Sequence, residues 1–193
     1  MQHSSLPSGS VQAHCLRLNP GEDLVQALQD AAKSAIANTR NAGSAFVLSA
    51  VGSLSDVTLR LASASCAEGN SKSNETRRWC ERLEVVSLVG TFTPTGAKHL
   101  HMSVANAQGD TFGGHLVAGT VFTTLELILG TIADVNFSRV LDDRTGYSEL
   151  VVRAVDPSVL LNRVIHTINE ERSKLLKMTE RNMSMAIFGC SYL

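Results

Sequence analysis

The sequence predicts an α+β domain, in which a predominantly antiparallel sheet is flanked by a helix and followed by a helical C-terminal extension. Apolar segments between residues 14 and 153 are mostly short runs or alternate with polar residues, and turn residues separate them, as is typical of antiparallel strands. One segment after the first strand and another after residue 158 instead repeat apolar residues at helical spacing. We therefore expect a flexible N-terminal segment (1–12), one domain (13–155) and a helical extension (156–193).

The first predicted elements are a strand and a long helix. Residues 14–18 alternate between polar and apolar side chains, as in a strand with one buried face. The turn Asn19-Pro20-Gly21 follows, and Glu22 and Asp23 place negative charge at the start of the helix. The apolar stripe of this helix comprises Leu24, Leu28, Ala31, Ala32, Ala35 and Ile36. The helix should end near Gly43, because glycine commonly follows a last helical turn.

Most of the remaining domain is predicted to be strand. Apolar runs and alternation indicate further strands over residues 45–52, 57–62, 83–92, 120–132, 135–141 and 148–153. Residues 63–78 are rich in serine, asparagine and charge, which indicates a long exposed loop. Residues 93–96 form a turn that leads into a histidine-containing hairpin. Beyond Asp156-Pro157-Ser158, apolar residues recur at helical spacing through residue 178.

Composition and charge restrict the class of protein. Hydrophobic residues make up 44% and charged residues 18% of the 193 residues, which is enough for one hydrophobic core. The formal net charge of −1 argues against the basic surface of a nucleic-acid-binding domain, so we expect no direct nucleic-acid binding. The apolar runs are too short to cross a membrane. The four cysteines are widely spaced and the N-terminal residues lack a signal-peptide pattern, so we expect an intracellular protein of the cytoplasm, with the nucleus as the alternative.

Three histidines form the main candidate site. His99 and His101 are two positions apart in a predicted strand and therefore project from the same face. A turn signal over residues 106–109 folds the chain back and brings His115 beside the pair. Three imidazoles on adjacent strands can hold a divalent transition metal, expected to be zinc, and leave one coordination position open. The alternative is that all three are half-buried strand histidines with hydrogen-bonded rings, but their convergence favours a metal site.

The register of this hairpin decides whether His115 joins the other two histidines. Regular pairing from a two-residue turn would set His101 opposite Gly114 and leave His115 on the other face. Glycines commonly mark a β-bulge, which shifts the facing of the residues that follow by one position. We therefore expect a bulge at Gly113 and Gly114 that returns His115 to the face of the other two.

Six motifs occur in a set order along the chain. They are Asn19-Pro20-Gly21-Glu22-Asp23-Leu24, Gly52-Ser53-Leu54-Ser55, residues 84–92, His99-Leu100-His101-Met102-Ser103, Gly113-Gly114-His115-Leu116 and Thr145-Gly146-Tyr147-Ser148-Glu149-Leu150. Together, over about residues 14–153, they resemble the plant-and-prokaryote-conserved (PPC) domain. The resemblance implies an antiparallel sheet flanked by a helix, assembly as a homotrimer, and metal binding by His99, His101 and His115.

The chain resembles the stand-alone version of this domain. In land plants the PPC domain follows AT-hook motifs in nuclear DNA-binding proteins, where it mediates association with itself and with other transcription factors. This sequence has no Arg-Gly-Arg-Pro core to read the minor groove, and it keeps the three histidines. Residues from 156 onward fall outside the resemblance, which implies nothing about them.

Two functions remain open from the sequence. The first is a small oligomeric metalloprotein whose metal-activated water would need a general acid or base. Glu126 is the candidate for this group because it lies in an otherwise apolar strand. The alternative is that Glu126 is an ordinary strand glutamate that faces outward. Glu149 and Asp143 are weaker candidates, because they are more simply explained as turn and edge residues. No motif names a reaction. The second is a non-enzymatic module for oligomerisation or protein interaction, linked to transcription or DNA-associated complexes, in which any metal is structural and the loop over 92–96 contacts a partner or ligand.

Overall fold

The computed structural model describes residues 6–62, 75–155 and 172–173, and eight strands and one long helix account for most of these residues. In order, these elements are β1 (Val11–Leu18), α1 (Leu24–Asn38), β2 (Ala42–Arg60), β3 (Thr76–Trp79), β4 (Leu83–Phe92), β5 (Lys98–Ala105), β6 (Thr111–Ala133), β7 (Val135–Asp142) and β8 (Tyr147–Ala154). All of them lie in the first of two compact units, Met1–Ala154, and the second unit is Val155–Leu193.

The sheet is organised around its two longest strands. β2 and β6 pair antiparallel from Ala42↔Ala133 to Arg60↔His115. β4 pairs with β2, and β5 pairs with both β4 and the first residues of β6. The pairings among β2, β4, β5 and β6 therefore form a closed ring. β1 pairs with the second half of β6, and β3 pairs with the end of β2. The β7–β8 hairpin joins β2 through one parallel bridge, Gly43↔Asn136, which makes the sheet mixed.

The prediction of an α+β domain is wrong, because 64% of the described residues are strand and only 12% are helix. The main reason is that separate predicted strands are continuous: β2 runs through residues 53–56, which lie between the strands predicted over 45–52 and 57–62. Gly52, at φ +148°, and several register shifts bend β2 without ending it. The predicted helical extension over 156–193 lies outside the described residues, apart from Arg172 and Ser173.

The helix covers one side of the sheet. Asp23 caps its N-terminus, and the Asp23 side chain accepts a hydrogen bond from the backbone amide of Gln26 at 2.9 Å. The residues of α1 buried in the core are Leu24, Leu28, Ala32 and Ala35. Leu24, Leu28 and Ala32 belong to the same hydrophobic cluster as the inward residues of the strands, so the helix and the sheet share one core.

Strand β5 positions the candidate site. Leu100, Met102 and Val104 are buried in the core. Because side chains alternate along a strand, His99 and His101 project from the opposite, outer face of the sheet. The strand that carries His99 and His101 is therefore held in place by the burial of its opposite face in the core. Within the described part of the chain, no helix has both the length and the apolar character needed to cross a membrane.

Candidate metal centre

The β5–β6 hairpin sets His101 directly opposite His115. The pairing is regular from His101↔His115 to Ala105↔Thr111. Its loop is closed by a hydrogen bond from the Asn106 amide to the Asp110 carbonyl at 3.1 Å, with a tighter turn inside it from the Gly109 amide to the Asn106 carbonyl at 3.0 Å. Gly109 takes φ +85° in this loop, a conformation that glycine adopts without steric cost. The extra residue that sets the register therefore lies in the loop.

The predicted bulge at Gly113 and Gly114 is wrong, because both glycines pair regularly with β5. The bulge was predicted for a two-residue turn, whereas the loop is one residue longer, and this difference alone brings His115 to the face of His101. The glycines instead permit close approach of the neighbouring strands. A Cβ on Gly114 would lie 2.6 Å from the Arg60 carbonyl oxygen, and one on Gly113 would lie 2.7 Å from the Met102 carbonyl oxygen.

The three imidazoles form one compact cluster. One ring nitrogen from each of His99, His101 and His115 lies within 4.8 Å of the others, and the ring centroids are 5.0–5.4 Å apart. The Nε2 atoms of His99 and His101 are 3.1 Å apart. Two ligands of a tetrahedral ion with metal–nitrogen bonds of about 2.0–2.1 Å are separated by roughly 3.3 Å. The closest pair of nitrogens is therefore near ligating geometry.

The protonation state of the cluster suits a metal. Burial lowers the pKa of His115 to about 4, and the positive charge of Arg60 contributes to the lowering. Burial also lowers the pKa of His99 below the usual 6.5, with Arg139 as the next cause. Neutral imidazole is the form that binds metal ions. His115 Nδ1 is, moreover, buried without a hydrogen-bond partner in the described structure, so the residues present fit a bound cation.

Residues from three other strands surround the histidines. A cavity of about 320 Å³ is lined by Arg60, Lys98, His99, His115, Arg139, Tyr147, Ser148 and Glu149. Arg139 reaches it from β7 and donates from Nη1 to the Ser148 carbonyl at 3.1 Å. The Arg60 guanidinium lies 6.0 Å from the centre of the Tyr147 ring. Sequence reasoning missed both arginines, because nothing local in β2 or β7 marks them as neighbours of a site on β5.

The structure does not bring Glu126 to the histidines. Glu126 is exposed on β6, where it lies opposite Arg17 and Val51. It is eleven residues from His115 along the same strand, which corresponds to about 36 Å of extended chain. Glu149 is the carboxylate that lines the histidine cavity, and its Oε1 accepts a hydrogen bond from Thr145 Oγ1 at 2.9 Å. Asp143 is not among the residues that line this cavity.

Curated relatives extend well beyond this chain. Bifunctional proteins named GlmU from two Synechococcus strains, JA-3-3Ab and JA-2-3B'a(2-13), are 45% and 44% identical to it over 151 residues. The match covers 78% of this chain and 22% of each relative. The chain therefore spans only about a fifth of the length of the curated relatives it matches.

Solved structures share the fold. A hypothetical protein from Salmonella enterica is 31% identical, with a TM-score of 0.65 over 76% of this chain and 96% of that one. A metal-containing protein from Archaeoglobus fulgidus is 22% identical, with a TM-score of 0.61 over 77% of this chain and 99% of that one. A PPC protein from Pyrococcus horikoshii is 21% identical, with a TM-score of 0.60 over 79% of this chain and 98% of that one.

The expectation of no direct nucleic-acid binding needs correction. Proteins of the same fold from Bacteroides thetaiotaomicron and Ralstonia eutropha, 19% and 20% identical, with TM-scores of 0.58, are named as candidate DNA-binding proteins. The net charge of −1 is an average over the whole chain and does not constrain any one surface. Charge balance therefore does not exclude nucleic acid as a partner of this fold.

The family follows from the profile match taken together with these relatives. The sequence profile of the Plants and Prokaryotes Conserved (PCC) domain, also written PPC, matches residues 6–133, which include β1 to β6 and all three histidines. The chain belongs to the PCC domain family.

Proposed function

We propose that this protein binds one divalent transition metal ion through His99, His101 and His115. The observation that carries the proposal is the convergence of three imidazoles, with ring nitrogens within 4.8 Å of one another, on the outer face of two paired strands. Three nitrogen ligands favour zinc among the common divalent ions and leave a fourth position for water or a ligand. The metal-containing relative from Archaeoglobus fulgidus supports the same conclusion by fold.

The chemistry available at such a metal site depends on what occupies the fourth coordination position. A zinc ion with three histidine ligands acts as a Lewis acid and lowers the pKa of a bound water. This chain's own contributions are the strand that orients His99 and His101, the burial that keeps His115 neutral, and the Glu149 carboxylate in the same cavity. Glu149 replaces Glu126 as the nearest candidate for a proton-transferring group.

The test is the metal content of the full chain purified without chelators and dialysed against zinc, measured by elemental analysis. We expect about one zinc per chain, and its loss in His99→Ala, His101→Ala and His115→Ala. His14→Ala is the matched control, because His14 hydrogen-bonds Thr131 at 3.0 Å and lies on β1. Stoichiometric zinc in folded His101→Ala, or none in the wild-type chain, would overturn the assignment.

A second candidate function is self-association or protein interaction. Leu48 and Val51 on β2, and Val86 and Val89 on β4, are 50–59% exposed. The β2–β4 ladder pairs Phe46 with Thr91 and Ser53 with Glu84, and all four residues lie in the stretches of the two strands between these pairs. Exposed apolar residues on adjacent strands mark an interaction surface.

This candidate is tested by molar mass in solution. If the surface mediates self-association, Val51→Lys with Val86→Lys should lower the mass to that of one chain while zinc content is retained. Val140→Lys is the control, since Val140 is 52% exposed on β7. A wild-type chain that is already monomeric at micromolar concentration would remove self-association from consideration.

A further inference from the structure

Two buried side-chain nitrogens in the described part of the chain have no hydrogen-bond partner, and both belong to one cavity. They are His115 Nδ1 and Arg139 Nε. Buried polar groups are almost always satisfied, and an exception at a cavity commonly indicates a missing ligand or ion. A bound metal ion would account for the histidine nitrogen that lacks a hydrogen-bond partner. It cannot account for Arg139 Nε, which is a donor and needs an acceptor oxygen.

The guanidinium of Arg139 is held in position for such an acceptor. Nη1 donates to the Ser148 carbonyl at 3.1 Å, and Nη2 makes only a long contact of 3.4 Å with Thr91 Oγ1. Nε and Nη2 form the side-on fork of an arginine, which matches two oxygens of one carboxylate or phosphate group. Nε is without a partner among the described residues, and Nη2 is held only by the 3.4 Å hydrogen bond to Thr91, so this fork is the part of the guanidinium most available to a ligand.

The charge of the cavity suits an anion. Arg60, Lys98 and Arg139 line it together with one carboxylate, Glu149. The ion pairs formed within the described ranges are Arg78–Asp56 and Arg144–Asp142, so neither of them neutralises a cation of this cavity. At about 320 Å³ the cavity is at the small end of the range for ligand pockets, which favours a ligand of few heavy atoms.

We propose that this cavity binds a small ligand through a carboxylate or phosphate group, with Arg139 as the fork and Arg60 as the second cation. His99 and His115 line the same cavity, so the anionic group lies beside the histidine cluster. Support for the anion subsite comes from the two arginines, and only its position next to a metal rests on the proposed function. The ligand class at the metal centre is therefore a small oxyanion.

The test uses the metal-free full chain at constant ionic strength, titrated in separate arms with inorganic phosphate and with acetate. The readout is the ¹⁵N resonance of Arg139 Nε–H, together with binding heat. We expect saturable binding of at least one anion with a shift of that resonance. Stronger binding of phosphate identifies a phosphoryl ligand, and stronger binding of acetate identifies a carboxylate.

Two substitutions make the test specific. Arg139→Gln should weaken anion binding at least about tenfold, because it removes a charge-assisted fork. Arg139→Lys keeps the charge without the fork, so its anion affinity should fall between those of the wild type and Arg139→Gln. Arg153→Gln is the control, since Arg153 is an exposed arginine of the same β7–β8 hairpin, paired with Asn136, and it does not line the cavity.

The outcomes separate this proposal from the proposed metal site. Equal anion affinity in folded Arg139→Gln and wild type, or no saturable binding of either anion, overturns the subsite. Zinc content measured on the same preparations is expected to be unchanged in Arg139→Gln. Anion binding that persists in His101→Ala supports the subsite even where that variant has lost zinc.

Discussion

His101 faces His115 directly across the β5–β6 ladder, with the ring centroids 5.4 Å apart and the ring planes at 85°. His99 lies two residues before His101 on the same face and completes the cluster. Because one residue more or less in the loop would turn His115 to the opposite face, the metal centre depends on the length of a surface loop. The core residues behind β5 keep this arrangement rigid.

Zinc should stabilise the folded chain. At a free zinc concentration about one hundred times the dissociation constant, binding adds about 2.7 kcal/mol to the free energy of unfolding. For a chain of this size that corresponds to a rise in Tm of roughly 5–10 °C. Differential scanning fluorimetry of the wild type and His101→Ala checks this, with magnesium as the control ion because it prefers oxygen ligands. An equal rise in both proteins would contradict the site.

His115 should titrate far below an ordinary histidine in the metal-free protein. Burial and the charge of Arg60 hold its pKa at about 4, so the ring should stay neutral throughout the range where a histidine of pKa 6.5 becomes charged. Folding disfavours protonated His115, so its contribution to stability is fully present above pH 6.5 and is lost as the pH falls towards 4. An NMR titration of the ring Cε1–Hε1 resonances measures this directly. A midpoint near 6.5 would show that the ring is solvated like a free histidine.

Gly90→Ala should disturb both the fold and the metal centre. Gly90 has φ +149°, and a Cβ there would lie 2.0 Å from the carbonyl oxygen of His99. Since that oxygen belongs to the backbone, β5 must move away from β4, and we expect a loss of at least about 2 kcal/mol of unfolding free energy. Gly21→Ala is the matched control, because Gly21 has φ +84° with open space around it. Denaturant unfolding that gives the two variants equal stability would contradict the steric argument.

Asp23→Ala should weaken the helix without affecting the site. It removes the cap on the Gln26 amide, and loss of such a cap costs about 1 kcal/mol. Zinc content should be unchanged, because α1 does not contribute to the histidine cavity. Urea unfolding of Asp23→Ala and of Asp30→Ala, an interior residue of the helix, tests this assignment. A larger effect at Asp30 would place the main helix interaction elsewhere.

The histidine cluster could be predicted from the sequence, but the register of the hairpin and the lengths of the strands could not. Alternation alone places His99 and His101 on one face, and the glycine-containing turn brings His115 close. The register was wrong by one residue, because turn residues indicate where a chain reverses without giving the loop length. The strand lengths were also wrong, because Gly52 looks like a strand end in the sequence and is a bend in β2.

The sequence by itself determined the family, helix α1 and three histidines within reach of one another, because each depends on residues close together in the chain. Only the tertiary structure decided which charges surround that cluster. Arg60 comes from β2 and Arg139 from β7, whereas Glu126 shares a strand with His115 and lies far from it. Strand pairing, which local periodicity does not encode, brings distant residues together and separates neighbours on one long strand.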